Sequence, residues 1–511
     1  MSEREWREAS DMRQSTLSAA AVVAVGAGLR FYALGAGVPY AIGVDEPQIV
    51  DRAVGMMRSG SYNPHFFDYP TLYIYVQLAV AVLRFMVGAM SGRWDSLADV
   101  GSADFFLWGR AATATLGTAT VLLVYMIGLR WGTRPALLAA GLMAVLPLHV
   151  RESHFVLTDV PVTFFVTLTF LLALRAHERQ YTSAFAWAGA SAGLAAATKY
   201  PGALALLLPL VALWMTPAMR RSRWRATLAT MGASAGAFLL AAPYTLLDLP
   251  AFLDGYARLT ASYSATPPGE APGITYFKHL RNSIQWPALL LVFGGGILAI
   301  VRSFKGPGHV RWALAVIFPV VYFWFVSRQT LVFARYLLPL GPFISLLAAT
   351  AVVSGVSLLR RWSIPRAIRS TLIVALTLAT LLPATISSVR FDRNIAKQGT
   401  AAQAYEWIGR NVPQQSTIVT EPGSPMLAHG PFRIRTVRQL RQHAYAEYVD
   451  MGADYLIASS QSYGHYVDSP AAFPTEYGEY KRLFDSAEEV ARFTASADHP
   501  GPELRILKVR R

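Results

Sequence analysis

Twelve apolar stretches alternate with short polar connectors between residues 15 and 389: 15–35, 71–90, 105–128, 135–150, 160–176, 182–198, 201–216, 226–247, 284–301, 311–326, 336–358 and 370–389. Several fall short of the roughly 20 residues needed to cross a hydrocarbon core, so the pattern fixes the number of helices better than their ends. The connectors carry the orientation signal. Arg130 and Arg134, Arg175 and Arg179, the run Arg220, Arg221, Arg223 and Arg225, then Arg302, Lys305 and Arg311, and finally Arg360, Arg361, Arg366 and Arg369 fall in alternate connectors. Positive charge accumulates on the cytoplasmic side of membrane proteins, so these loops are expected inside.

That alternation holds only if 71–90 does not cross. Its sequence, TLYIYVQLAVAVLRFMVGAM, is apolar enough to span, but counting it would invert every later arginine cluster. It is therefore expected to lie along the interface, within a first extracytoplasmic loop covering 43–104. The outcome is about eleven transmembrane helices with the N-terminus inside and the C-terminus outside. Residues 1–14 are as acidic as they are basic, and the first apolar run continues into Arg30-Phe31-Tyr32 without a processing site, so it reads as the first span and not as a cleaved signal.

After residue 389 the pattern changes. Runs such as STIVT and ADYLIAS follow helical patterns such as AAQAYEWIGR and QLRQHAYAEYV, which predicts a small α/β domain over 390–511 following a membrane domain over 1–389. Composition agrees with a polytopic membrane protein: 53% hydrophobic and only 15% charged, with a mean hydropathy of +0.34. The net charge of +15 sits mostly in the short loops, so it reports topology and not a nucleic-acid partner. With no cysteine in the chain, disulfides, thiolate metal sites and cysteine nucleophiles are excluded.

The expected outer face collects the ionisable residues that could carry chemistry. Stretch 43–70, GVDEPQIVDRAVGMMRSGSYNPHFFDYP, holds Asp45-Glu46 and then His65 and Asp68 ahead of Tyr69-Pro70. Carboxylates at such a point can take a proton from a hydroxyl, orient it or hold a divalent cation; an acidic pair in a loop is also commonly just solvated. Asp159, in RESHFVLTDVPVTFF, opens a helix, where capping and a site role are equally open. Arg151 and His154 in the same loop read as solvated. Lys199, in ATKYPGA, stands between two apolar segments with no acidic neighbour in sequence, and Arg335, in VFARYLLPLGP, is similar. Either snorkels to the interface or neutralises a phosphate. Arg110, in LWGRAATATLG, starts a helix at the same face and is read as structural or as a further phosphate contact.

At these residues the chain resembles the GT-C glycosyltransferases, and within them the family 39-like group of protein O-mannosyltransferases and lipid A aminoarabinose transferases. The resemblance runs through LRFYALGAGVPYAIGVDEP, GRAATATLGTATVLLVY, RESHFVLTDVPVTFF, GLAAATKYPG and ARYLLPLGP, covering most of residues 15–355. It implies the GT-C fold, a donor sugar linked to polyprenyl phosphate, and inverting transfer to a hydroxyl of a protein, lipid or glycan at the outer face of the plasma membrane. By the same resemblance Asp45 is the base, Glu46 holds the acceptor, Asp159 is the second acidic position, and Lys199 and Arg335 contact the donor phosphate. Where the two branches carry His-Pro-Pro or Glu-Lys-Pro this chain reads Asp68-Tyr69-Pro70, which leaves Asp68 as a candidate ligand for a divalent metal ion. A transporter or lipid flippase is the rival reading; against it, the singled-out residues gather at one face, whereas transporters place their charges near the midplane. A non-catalytic scaffold would leave the spacing of Asp45, Asp159, Lys199 and Arg335 without a cause.

Overall fold

The computed structural model describes residues 3–38, 45–265, 270–304, 306, 308–361, 364–427 and 431–510, with side chains for all but 3–13, 265 and 358–361. Residues 39–44 of the first stretch of resemblance, Lys305, and the side chains of Arg360 and Arg361 lie outside the described residues. The chain divides into two compact units: Met1–Leu34, Asp45–Asp99 and Trp108–Phe391 form the first, and Gly35–Val44, Val100–Leu107 and Asp392–Arg511 the second.

In chain order the helices up to the C-terminal domain are α1 (Glu3–Phe31), α2 (Glu46–Ser59), α3 (Leu72–Met90), α4 (Phe106–Gly128), α5 (Thr133–Ala144), α6 (Pro147–Glu152), α7 (Asp159–Arg179), α8 (Thr182–Thr198), α9 (Leu207–Trp214), α10 (Arg223–Ala241), α11 (Tyr244–Leu247), α12 (Leu249–Ala265), α13 (Pro272–Phe304), α14 (His309–Val326), α15 (Gly341–Arg361) and α16 (Arg366–Ile395). Seven helical segments among the described residues have the length and composition to cross a membrane. The sequence pattern predicted eleven crossings with 71–90 excluded, and Leu72–Met90 is one of these seven. Much of the difference lies in elements that are short or broken. Stretch 135–150 is split at Leu146-Pro147 into α5 and α6, 182–198 forms a helix of 17 residues, and 201–216 is a 3-10 turn followed by α9. Inside α13 the backbone breaks at Gln285, whose φ of 63° precedes Trp286-Pro287.

Small residues set how closely the helices approach. A Cβ on Gly189 of α8 would stand 2.2 Å from the Thr230 carbonyl oxygen of α10, and one on Gly193 would stand 2.1 Å from that of Ser234. These glycines, four apart, give α8 a flat face on which α10 rests, as small residues do between helices in membranes. At the centre Phe343 of α15 stacks on Phe170 of α7 at 4.8 Å and on Phe318 of α14 at 4.9 Å. This three-ring stack holds α7, α14 and α15 side by side.

The second unit contains α17 (Thr400–Asn411), β1 (Thr417–Thr420), β2 (Arg433–Thr436), α18 (Tyr445–Asp450), β3 (Tyr455–Ser459), α19 (Ser460–Asp468), α20 (Pro474–Ser486), β4 (Glu488–Phe493) and β5 (Leu504–Lys508). Its sheet runs β2-β1-β3-β5-β4, with β1 parallel to β2 and β3 and an antiparallel edge from β5 and β4. STIVT and YLIAS form β1 and β3, which are buried on both faces, as their unbroken apolar runs imply. Only the end of QLRQHAYAEYV is α-helical, with a 3-10 turn at Leu440–Gln442 before it.

Candidate functional site

Two helix ends and one turn build the site. Thr158 is the N-cap of α7, so Asp159 stands in its first turn, where the helix dipole favours a carboxylate. Asp159 therefore does not occupy the N-cap position, and the Thr158 side chain there makes no capping hydrogen bond. Pro201 ends α8, because it has no N–H to continue the ladder, and Lys199 takes an extended conformation (φ −155°) at the break. Arg335 is the second residue of a 3-10 turn, Ala334–Leu340, that runs into α15. Asp45 precedes α2 and makes no capping hydrogen bond there, which leaves its carboxylate available.

These four side chains form a continuous line of alternating charge. Arg335 Nη2 donates to Asp45 Oδ2 at 2.6 Å, Arg335 Nε lies 3.7 Å from Asp159 Oδ2, and Lys199 Nζ donates to Asp159 Oδ1 at 2.6 Å. The isolation of Lys199 in sequence is therefore lost in space. Side-chain exposure separates the two acids: 27% for Asp45 and 4% for Asp159. Of the two, Asp45 is the more open to an incoming molecule. The Lys199 ammonium lies 4.1 Å from the centre of the Tyr336 ring, and Tyr336 Oη is 2.7 Å from Tyr263 Oη. Burial lowers the pKa of Lys199 below the ordinary lysine value, with Asp159 opposing the shift. The Tyr69 hydroxyl is pushed up by burial and then by Asp45 and Asp159, so it stays a proton donor.

Lys199 and Tyr336 also line a cavity of about 350 Å³ whose wall includes Asp68, Tyr69, Tyr200 and Tyr263. Tyr200 donates to the Phe67 carbonyl at 2.8 Å, tying the 60–70 loop to the break after α8. Sequence reasoning missed Tyr263 and Tyr336. The second was signalled by its place directly after Arg335, the first by nothing local in the sequence.

Other expected site residues stand elsewhere. Arg110 grips Glu46 through two hydrogen bonds, Nε to Oε1 at 2.9 Å and Nη2 to Oε2 at 2.7 Å, and both side chains are fully buried. Glu46 Oε1 also accepts from the Val156 amide at 2.8 Å, and Arg110 Nη1 donates to the Leu34 carbonyl at 3.1 Å. With their groups spent on each other and on backbone, Glu46 is not placed to hold an acceptor nor Arg110 to hold a phosphate. Instead they clamp the start of α2 to α4. His154, read as solvated, is buried, its ring nitrogens 2.9 Å from the Val150 carbonyl and 3.0 Å from that of Tyr32. His65 is exposed and lies 3.8 Å from Asp248. Asp68 is exposed at the cavity rim, and among the described residues no three His, Asp or Glu side chains converge to hold a metal.

Residues 74–258 match the family described as dolichyl-phosphate-mannose-protein mannosyltransferase. No curated protein sequence matches the chain. Among solved structures, the apo oligosaccharyltransferase of Archaeoglobus fulgidus superposes with a TM-score of 0.58 at 13% identity, covering 97% of this chain and 76% of that one. Apo ArnT from Cupriavidus metallidurans gives 0.57 at 15%, covering 97% and 98%. The same ArnT bound to undecaprenyl phosphate gives 0.53 at 15%, covering 96% and 97%. The chain thus has the fold of these solved structures across its length, and its residues 74–258 match the mannosyltransferase family.

Proposed function

We propose that the protein transfers a sugar from a polyprenyl-phosphate donor to a hydroxyl acceptor at the extracytoplasmic membrane face, with inversion at the anomeric carbon. The observation that carries this is the line Asp45–Arg335–Asp159–Lys199 beside the cavity. Its cations are held by carboxylates that a phosphate can replace. When donor phosphate enters, Arg335 and Lys199 turn to it as charge-assisted donors, with Arg335 offering a planar fork and Lys199 a point charge. Asp159 keeps both cations in place from below. Asp45, released from Arg335, then accepts the acceptor's proton as its oxygen bonds to the anomeric carbon. The carbon–oxygen bond to phosphate breaks, and polyprenyl phosphate leaves with its charge neutralised. Tyr263 and Tyr336 line the part of the cavity next to Lys199, where a sugar ring is suited to stacking and hydroxyl contacts.

The polyprenyl phosphate bound to the Cupriavidus ArnT supports this class of donor. The charged line gathers at the ends of α7 and α8, which does not suit a transporter site at the midplane. Incubation of the purified protein with radiolabelled polyprenyl-phosphate sugar and a panel of hydroxyl acceptors tests the reading. Labelled product and free polyprenyl phosphate are expected in equal amounts, and vectorial movement of intact donor without cleavage would overturn it.

A further inference from the structure

The helices that meet at the site carry a second polar cavity at their other end. On α14, Tyr322 and Val326 line the site cavity, while Arg311 lies eleven residues before Tyr322, about 16 Å of helical rise away. This second cavity, of about 220 Å³, is bounded by Trp131, Arg302, Arg311, Trp312, Thr350 and Ser354. Trp131 meets Trp312 edge to face at 5.4 Å, and the Arg311 guanidinium lies 5.4 Å from the Trp131 ring centre while Nη1 donates to the Arg130 carbonyl.

Donors outnumber acceptors here. Arg311 Nε and Trp131 Nε1 are buried with no hydrogen-bond partner among the described residues. Nearby Arg130 has its own carboxylate, Glu178, at 3.0 and 3.2 Å. Among the described residues no carboxylate pairs with Arg302 or Arg311. A buried donor left unmade is costly, so two such N–H groups beside the Arg302 and Arg311 guanidinium charges mark a place for an anionic acceptor. Val353 lines this cavity and also a neighbouring apolar one of about 570 Å³, walled by Leu137, Leu138, Val356 and Ile373 with Arg134 at its edge. An anion joined to a hydrocarbon chain matches both spaces.

We propose that this cavity binds the phosphate group of an anionic membrane phospholipid at the face opposite the transfer site, with an acyl chain in the apolar cavity beyond Val353. The lipid ties the α13–α14 connection to the start of α5 without taking part in transfer.

The test is native mass spectrometry of the full chain in detergent, titrated with phosphatidylglycerol and, separately, with inorganic phosphate. One phosphatidylglycerol retained per chain is expected, with affinity about tenfold or more lower in Arg311→Gln and in Arg302→Gln and unchanged in Arg221→Gln, an exposed basic residue outside the cavity. Arg302 is itself exposed, so its variant folds even where Arg311→Gln does not, and thermal unfolding of each variant checks this. Equal retention by wild type and Arg302→Gln would make the lipid merely annular and overturn the proposal. Tighter binding of inorganic phosphate than of phosphatidylglycerol would overturn the lipid as its source.

Discussion

Asp45 accepts a 2.6 Å hydrogen bond from Arg335, a residue 290 positions further along the chain. The pairing joins the loop after the first helix to the turn that opens α15, and it puts the more exposed acid of the site against the cation best shaped for phosphate. On the proposed function, donor phosphate and Asp45 compete for one guanidinium, which would link donor entry to release of the base.

Asp45→Asn is accordingly expected to lower kcat by about 10² to 10⁴, the usual contribution of a general base. Donor affinity should hold or rise, because a weaker competitor for Arg335 remains. Single-turnover rates measured beside donor binding decide this. Normal turnover in Asp45→Asn would remove the residue from the chemistry.

Arg335→Ala and Lys199→Ala should each weaken donor binding about tenfold or more, through loss of a charge-assisted contact. Lys199→Ala also strands Asp159, which is nearly fully buried, so it should lower thermal stability as well. The double change Lys199→Ala with Asp159→Asn separates the two effects: stability should return while donor affinity does not. Recovery of both would make Lys199 a purely structural partner of Asp159.

How much of this was legible in the chain depends on distance. Hydropathy and the arginine connectors revealed a polytopic bundle because each signal is local, and the apolar runs of β1 and β3 exposed the C-terminal sheet for the same reason. The four charged site residues stood out because each interrupts an apolar context. Their partnerships did not, since Asp159 with Lys199 and Asp45 with Arg335 arise only when helix ends converge. Glu46 shows the opposite error: adjacency to Asp45 suggested a shared task, yet the start of a helix turns it inward to Arg110. Tyr263 was invisible for want of any local rule that marks an aromatic as a cavity wall.

The Arg110–Glu46 pair leads to a stability prediction. Removing one partner of a fully buried ion pair typically costs about 3–5 kcal/mol, so Arg110→Ala should fold poorly or unfold at much lower temperature. Glu46→Gln, which keeps the shape, should be milder. The coupled change Glu46→Leu with Arg110→Met should recover much of the loss and retain donor turnover. A well-folded double variant that cannot bind donor would return these residues to the phosphate site.

Topology can be read directly, because the chain contains no cysteine to mask. Single cysteines placed in 91–99 and in 392–427 are expected to react with an impermeant reagent from the extracytoplasmic side. This follows from the arginine connectors if Leu72–Met90 lies along the interface. Labelling of 91–99 only from the cytoplasm would make Leu72–Met90 a true span.

The ammonium of Lys199 gives the site a pH limit. Burial lowers its pKa below the usual lysine value, so as pH rises Lys199 loses its proton earlier than an exposed lysine does. On the proposed function the charged form is the one that holds phosphate, so donor affinity should fall as pH rises, at a pH below the ordinary lysine range. A bound phosphate favours the charged form and raises the pKa again, so donor binding at the lower edge of that range should take up a proton, detectable as a buffer-dependent heat in calorimetry. Lys199→Arg should abolish this alkaline loss, because a guanidinium stays charged throughout. An unchanged alkaline limb in Lys199→Arg would assign the titration to another group and leave Lys199 outside the donor's reach.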